Sequence, residues 1–278
     1  MSYKTILVHA DLSRAAPQRI RIAAELANAG NGHLIGAALT STLGLILPGS
    51  FELGGEALAT QMALMREDAQ SSLSQFDAIA RAAGVSSAEK RIVDDDAEGG
   101  MMVQARYADL VVVGQYDPDD KRAAARPDLP EYVMLNSARP VLVVPYAGKF
   151  ERVGRKVLLA WDASMEATRA IANALPMLKA ADLVTLAVFN PDERYGRHGE
   201  QPGADLALYL SRHGVKVEVS EQQTSMDVGN ALLSLAADID ADLLVMGGYG
   251  HARFRQLLIG GVTRTILKCM TLPVLMSH

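Results

Sequence analysis

The chain has 278 residues, 49% of them hydrophobic and 21% charged, a length for one large or two ordinary globular domains. A net charge of −5 with mixed signs offers no basic face for nucleic acid, and no apolar run approaches the roughly 18–20 residues of a membrane span. The single cysteine, Cys269, excludes an intrachain disulfide or a thiolate metal cluster and reads as a small core residue of an apolar helix. The opening MSYKTILVHAD runs straight into a strand pattern with no signal-like regions, so a cytoplasmic location is expected. Residues 41–72 then form a long connection, in which TSTLGLILPGSFELGG predicts an apolar loop lying over a neighbouring site before a long helix. KRIV ends a strand, and Asp94-Asp95-Asp96 after it reads as a solvated loop, because no partner stands at ligand spacing. ADLVVVG is a further strand, DPDDKRAAARPD a charged loop, and PVLVVPY a closing strand.

Beyond the connection AGKFERVG the same order recurs. VLLAW is a strand and SMEATRAIANALPMLKAA an amphipathic helix with Ser164 as its cap. DLVTLAVF, VKVEVS, ADLLVMG and PVLMSH are strands; helices fall around ADLALYLSRHG, VGNALLSLAADID and LLIGGVTRTILKCM. KTILVHADLS matches RKVLLAWDAS, ADLVVVGQYD matches ADLLVMGGYG, and ARPVLVVPY matches TLPVLMSH. Gly114 to Pro140 and Gly247 to Pro273 are both 26 positions apart. The expected domains are therefore 1–148 and 153–278. Continuous Val/Leu/Ile runs point to strands buried on both faces, hence an α/β fold of two tandem, doubly wound, open parallel sheets with five strands each.

The glycines of GGYGHARFRQLLIGGVT follow the fourth strand of the second half. Ligands of open parallel sheets sit beyond the carboxyl ends of the strands, where glycine lets backbone approach and a helix N-terminus offers unpaired N–H groups. An anion cradle and a pair of tight turns are both compatible with the glycines alone. The dinucleotide pattern fails because Arg253 stands at its third glycine, and no G-K-[ST] follows for a P-loop.

The spacing that fits is G-x-x-G-x9-G, at Gly247, Gly250 and Gly260. On this motif, the opening strand ending in Asp and the closing Pro-Val-Leu strand, the whole chain resembles the universal stress protein family, in its tandem two-domain form. The resemblance implies an adenine nucleotide alpha hydrolase-like fold and an adenine-nucleotide site, for ATP or ADP with or without Mg, in a regulatory module of the stress response. It places Asp162 at the adenine end and the Val188 backbone on the adenine edge. Gly247, Gly250, Gly260, Gly261 and Val262 would line ribose and phosphates, with His251 and Arg253 within reach of the phosphates. Nucleotide-binding members carry Ser or Thr after the third glycine; here that residue is Gly261, and Thr263 is the nearest hydroxyl.

In the first half Asp117, Pro127 and Asp128 align with Gly250, Gly260 and Gly261. A carboxylate about 5 Å from a phosphate costs roughly 3 kcal/mol at an effective dielectric of 20, and proline donates no N–H. Asp11 keeps the adenine-side position, so that half is expected to hold the fold without the site. The six histidines show no metal spacing, and His9 on the first strand reads as a core residue. No nucleophile with its base is evident, so hydrolysis is expected to be slow at most. The expected partner is the nucleotide, with neither nucleic acid nor membrane. The closing strands are expected side by side in an internal pseudo-dimer, with a homodimer of whole chains as a further option. The competing reading is a protein-interaction or small-ligand module that has lost ATP binding, favoured by Gly261 and the apolar 43–51 segment.

Overall fold

The computed structural model describes residues 2–40, 55–120, 127–191, 201–249 and 261–278, which divide into compact units at 139/140. Residues 2–139 run β1 (Thr5–His9), α1 (Ala16–Gly30), β2 (His33–Leu39), α2 (Gly55–Ala82), β3 (Ala88–Val93), α3 (Ala97–Ala105), β4 (Leu110–Gly114) and α4 (Leu129–Asn136). Their strands order β3-β2-β1-β4, all parallel, with Thr5 opposite His33 and Ile6 opposite Leu110. β1 and β4 bury nearly every side chain, the pattern of strands covered on both faces, whereas the edge strand β3 has no fully buried residue and carries Glu89, Lys90 and Arg91. α2 packs on β2 through Phe76, whose ring lies against Gly36 where a side chain would intrude. The long helix before β3 agrees with the sequence expectation; residues 41–54, including the apolar 43–51 segment, lie outside the described residues.

Residues 140–278 run β5 (Val141–Val144), β6 (Lys156–Ala160), α5 (Met165–Ala180), β7 (Leu183–Phe189), α6 (Ala204–Arg212), β8 (Val217–Gln222), α7 (Val228–Asp238), β9 (Leu243–Gly247), α8 (Gly261–Cys269) and β10 (Val274–Ser277). The sheet order is β5-β10-β9-β6-β7-β8. Every ladder is parallel except β5 on β10, where Val143 faces Val274 and Val141 faces Met276. The two closing strands thus form an antiparallel ladder, and the fifth strand of the first repeat lies in the compact unit of the second. Both are fully buried four-residue apolar runs, so each provides the other's hydrophobic neighbour. Ser164 caps α5 as expected, its Oγ accepting the Ala167 N–H at 3.1 Å. Cys269 corrects the sequence reading: it is exposed at the end of α8, because Thr263 and Ile266 hold the buried face and Met270, just past the helix, takes the next inward position. No described helix is long and apolar enough to cross a membrane.

One carboxylate fastens the start of each sheet. Asp242, before β9, accepts the N–H groups of Gly154, Arg155 and Lys156 at 2.9, 2.9 and 3.2 Å. Asp109, its counterpart before β4, accepts those of Lys4 and Thr5 at 2.7 and 3.0 Å. Both sit in the repeated Ala-Asp-Leu, so this motif is a structural pin at the end of the sheet opposite the ligand end. Asp242→Ala should cost about 2 kcal/mol in urea unfolding, since two or three amides lose an acceptor. Asp240→Asn, which removes only the exposed pair with Lys156 and keeps a residue that tolerates the φ of 54° there, should cost under about 1 kcal/mol. Equal effects of the two would remove the pin.

Candidate functional site

In residues 140–278 the chain moves from β6 outward to β7 and β8, then returns to place β9 and β10 on the other side of β6. The reversal falls between β6 and β9, which pair with Leu159 opposite Val245, and a crevice opens at the carboxyl ends of such a pair. Two segments leave the sheet there. After β6, the Trp161 N–H still donates to the Ala187 carbonyl at 3.0 Å. Asp162 then accepts the Ser164 N–H on Oδ1 at 3.0 Å, with Ala163 at φ 57°. Asp-x-Ser is therefore a turn that delivers the α5 cap, and it leaves Asp162 exposed at the crevice. Val188 is fully buried in β7, one residue past the Ala187 that receives the Trp161 bond.

After β9 the backbone is held from three sides. A Cβ on Gly247 would lie 2.5 Å from the Ala167 nitrogen, so α5 presses directly on the strand end and only glycine fits. The Gly248 N–H donates to Ser277 O at 2.9 Å, and His278 Nδ1 lies 3.0 Å from the Gly248 carbonyl. Tyr249, at φ 55°, donates its N–H to Thr263 Oγ1 at 3.2 Å. Thr263 is 4% exposed in the first turn of α8, so its hydroxyl braces the strap between β9 and that helix. Val262 is half-buried; Gly261 begins α8, exposed, and a Cβ there would meet nothing described within 4 Å. Gly250, His251, Arg253 and Gly260 lie outside the described residues. The structure thus brings Asp162, Gly247, Gly261, Val262 and Thr263 to the strand reversal.

Sequence reasoning missed three supports: the Tyr249–Thr263 brace, His278 on Gly248, and Asn190. Asn190, at φ 48°, donates through Nδ2 to Thr224 O at 2.9 Å and accepts the Thr224 N–H at 2.8 Å. It ties together the segments leaving β7 and β8. Its one legible signal was an asparagine closing a strand, a residue that tolerates positive φ.

The corresponding reversal in residues 2–139 lies between β1 and β4 and is occupied by charge. Arg19, 2% exposed on α1, donates from Nε to the His9 carbonyl at 2.9 Å and places Nη2 2.9 Å from Asp11 Oδ1. A side chain on Gly114, the counterpart of Gly247, would collide with its Nη1. Ser13 donates both N–H and hydroxyl to Asp11, and His9 Nδ1 stands 3.4 Å from Asp11 Oδ2. Burial alone would raise the Asp11 carboxyl, but Arg19, His9 and Ser13 outweigh it and hold the acid well below the usual carboxylate range. Burial drives His9 down to about 4, with Asp11 opposing and Arg19 assisting. His9 is buried, as the sequence suggested. Asp11 stands between Ser13 and His9, so the histidine is not placed as a base for the serine, and a carboxylate this acidic is a poor one.

In the charged stretch after β4, Asp117 and Asp120 are each 6% exposed and packed inward, with Arg14 Nη2 2.9 Å from Asp117 Oδ2 and Arg14 Nε 3.8 Å from Asp120 Oδ2. Residues 121–126 lie outside the described residues, and Pro127 and Asp128 are exposed. The acidic run at 94–96 is structural: Asp96 caps α3 through the Gly99 N–H and Asp94 pairs with Arg66. Among the described residues no group of His, Cys, Asp and Glu is placed to hold a metal.

Because unfolded His9 takes a proton near pH 6.5 and folded His9 only near 4, stability should fall by up to about 3 kcal/mol as pH drops through that window. The Asp11 contribution is lost only below it, as pH falls under the unfolded carboxylate value. Urea midpoints of His9→Gln should lack the limb between pH 6.5 and 4. Parallel profiles for both proteins would show that His9 is not held neutral.

The universal stress protein family profile matches residues 2–145 and again 154–278, so the chain belongs to that family. A universal stress protein of Synechocystis sp. is 30% identical over 153 residues, 52% of this chain and 49% of that protein; the chain thus spans about half the length of this curated relative. A universal stress protein crystal structure from Archaeoglobus fulgidus DSM 4304 superposes with a TM-score of 0.72 at 18% identity, covering 98% of this chain and 94% of the other. A functionally unknown protein of Pseudomonas aeruginosa PAO1 gives 0.60 at 18% identity, with 98% and 92% covered.

Proposed function

We propose that this universal stress protein family member is a cytoplasmic regulatory module that binds one adenine nucleotide, ATP or ADP, in the crevice between the carboxyl ends of β6 and β9. The observation that supports it is the strand reversal itself. It is flanked by an exposed carboxylate, Asp162, and by a strand end, Gly247, pressed against helix backbone. It is fronted by a helix that opens on glycine, where unpaired N–H groups and a partial positive charge suit phosphate. In this reading Asp162 and the Val188 backbone receive the base. Gly247, Gly250, Gly260, Gly261 and Val262 line ribose and phosphates, and His251 and Arg253 reach the outer phosphates, with Mg as an accompanying ion. The two repeats, 1–148 and 153–278, divide the work: the second holds the ligand and the first does not. Thr263 braces the strap by accepting the Tyr249 N–H and keeps its own O–H proton to donate toward a phosphate. Gly261, in place of a hydroxyl residue, and the apolar 43–51 segment favour a second reading, a module for another small ligand or a protein partner.

Titration calorimetry should give about one ATP or ADP per chain. Trp161, the only tryptophan, adjoins Asp162, so its emission should change on binding. Gly250→Asp should weaken binding by about 150-fold, the equivalent of roughly 3 kcal/mol of charge repulsion. Two equivalent sites, or full affinity in that variant, would overturn the assignment; no released nucleotide and no titration at all would support the second reading.

Gly261→Ser tests the missing hydroxyl directly. No described atom lies within 4 Å of a Cβ at this position and its φ is not positive, so the serine should fold without strain. One added hydrogen bond to a charged phosphate should tighten binding about tenfold or more. An unchanged affinity would place the phosphates away from the first turn of α8.

A further inference from the structure

We propose that Ser87, His33 and Glu89, at the edge of the first repeat's sheet, form an acyl-transfer site that cleaves small activated esters through an acyl-serine. The three stand at the amino-terminal ends of β2 and β3, opposite the ligand end of the sheet, so the site does not rest on the nucleotide reading. The ladder brings them together. The Ser87 carbonyl accepts the Leu34 N–H at 2.9 Å, and Glu89 lies opposite Ile35. Residues 87 and 89 share one face of the strand because side chains alternate. His33 reaches both from β2, with Nδ1 2.7 Å from Ser87 Oγ and Nε2 3.3 Å from Glu89 Oε2. Arg91 grips the carboxylate with Nε and Nη2 at 2.7 and 3.0 Å, and its Nη1 donates to Gln104 Oε1 at 2.7 Å. That fork holds the Glu89 carboxyl below its ordinary range, so it is ionised.

An ionised carboxylate only accepts, so Nε2 carries the imidazole proton and Nδ1 presents its lone pair to the serine hydroxyl. A hydroxyl on a base that a third group orients is an activated nucleophile. The Ser87 carbonyl points into the ladder, so across the trans peptide the Ala88 N–H points the other way, to the open side of the edge strand β3. It belongs to the residue after the nucleophile and can donate to a developing oxyanion. Ser87 Oγ attacks the ester carbonyl carbon while its proton passes to Nδ1. The imidazolium returns that proton to the leaving oxygen as the C–O bond breaks. Water, deprotonated by the same nitrogen, then cleaves the acyl-serine to a carboxylic acid and restores the hydroxyl. Ser87 is exposed and His33 half-buried, so selection is by reactivity of the acyl group, as in short-chain aryl esters. The second repeat provides an internal contrast. There the Lys216 carbonyl accepts the Val184 N–H at 2.9 Å, so Lys216 and Leu183 take the places of Ser87 and His33. Glu218 keeps the carboxylate, but its Oε1 accepts the Thr185 hydroxyl at 2.9 Å.

A fluorophosphonate probe and p-nitrophenyl acetate test this on the full chain without nucleotide. Peptide mapping should place the phosphonyl adduct on Ser87 and not on the adjacent Ser86. The parent should hydrolyse the acetate about tenfold or more faster than Ser87→Ala, and His33→Gln should slow labelling about 100-fold or more, as expected for a lost general base. These side chains reach solvent, and a retained urea midpoint checks that each variant is folded. Glu89 is a positioning residue. In Glu89→Ala, labelling should slow and nitrogen NMR of the His33 ring should show the Nε2–H tautomer giving way to a mixture, a change that a merely structural carboxylate would not produce. The proposal is overturned by an adduct that avoids Ser87, by equal hydrolysis in Ser87→Ala, by labelling indifferent to His33→Gln, or by an unchanged tautomer.

Discussion

The closeness of a helix to the end of the fourth strand of each repeat is the constraint on which both sites depend. At Gly247 and at Gly114 no side chain fits, but what presses there differs. In the second repeat it is the backbone of α5 around Ala167, which brings a helix start against a strand end. In the first it is the guanidinium of Arg19, which enters from α1. The same glycine therefore admits helix backbone in one repeat and a cationic side chain in the other. Retaining glycine at this place says that something must come close, not what.

Charge then follows from packing. Once Arg19 is buried beside Asp11, the carboxylate is held ionised, and a neutral His9 is the arrangement that avoids a second cation next to the guanidinium. Asp117 and Asp120 are buried beside Arg14, which lies outside the helix where Ser13 bonds to Asp11 instead of capping. The second repeat breaks this chain at its first link: with Ala170 in place of an arginine, Asp162 has no internal cation to face and stays exposed. One substitution pair, Arg19 against Ala170, separates a carboxylate used internally from one presented to solvent.

Most of the fold was legible because it rests on periodicity. The strand runs, the Ser164 cap, the long helix over 55–82 and the repeat itself all follow from patterns within short windows. Cys269 misled because a helix read as apolar ended one residue before its next buried position, and helix ends are poorly marked by periodicity. The site was legible where backbone chemistry decides, as at Gly247, and illegible where distant side chains meet. Nothing in the sequence announces that Arg14 reaches Asp117 and Asp120, more than 100 positions away, or that Thr263 accepts a tyrosine amide. Charge is usually solvated, and the burial of Asp117 and Asp120 requires partners that only the tertiary structure supplies.

The two straps that leave β4 and β9 show how one architectural need is met by different chemistry. Each must carry the chain from a strand end to a helix start across the mouth of the crevice. In the second repeat the strap is braced by a neutral bond from the Tyr249 amide to Thr263, with Gly248 tied to Ser277 and within bonding distance of His278. These contacts use backbone, a hydroxyl and an imidazole, so they place no side-chain carboxylate over the entrance of α8. In the first repeat, Pro130 aligns with Thr263 and has no hydroxyl to offer, and the strap is instead held by carboxylates on an arginine. An ionic brace of that sign is incompatible with phosphate at the same helix entrance, whereas a hydroxyl brace is not. The loss of one hydroxyl at position 130 and the gain of acids at 117 and 120 are therefore parts of one structural exchange.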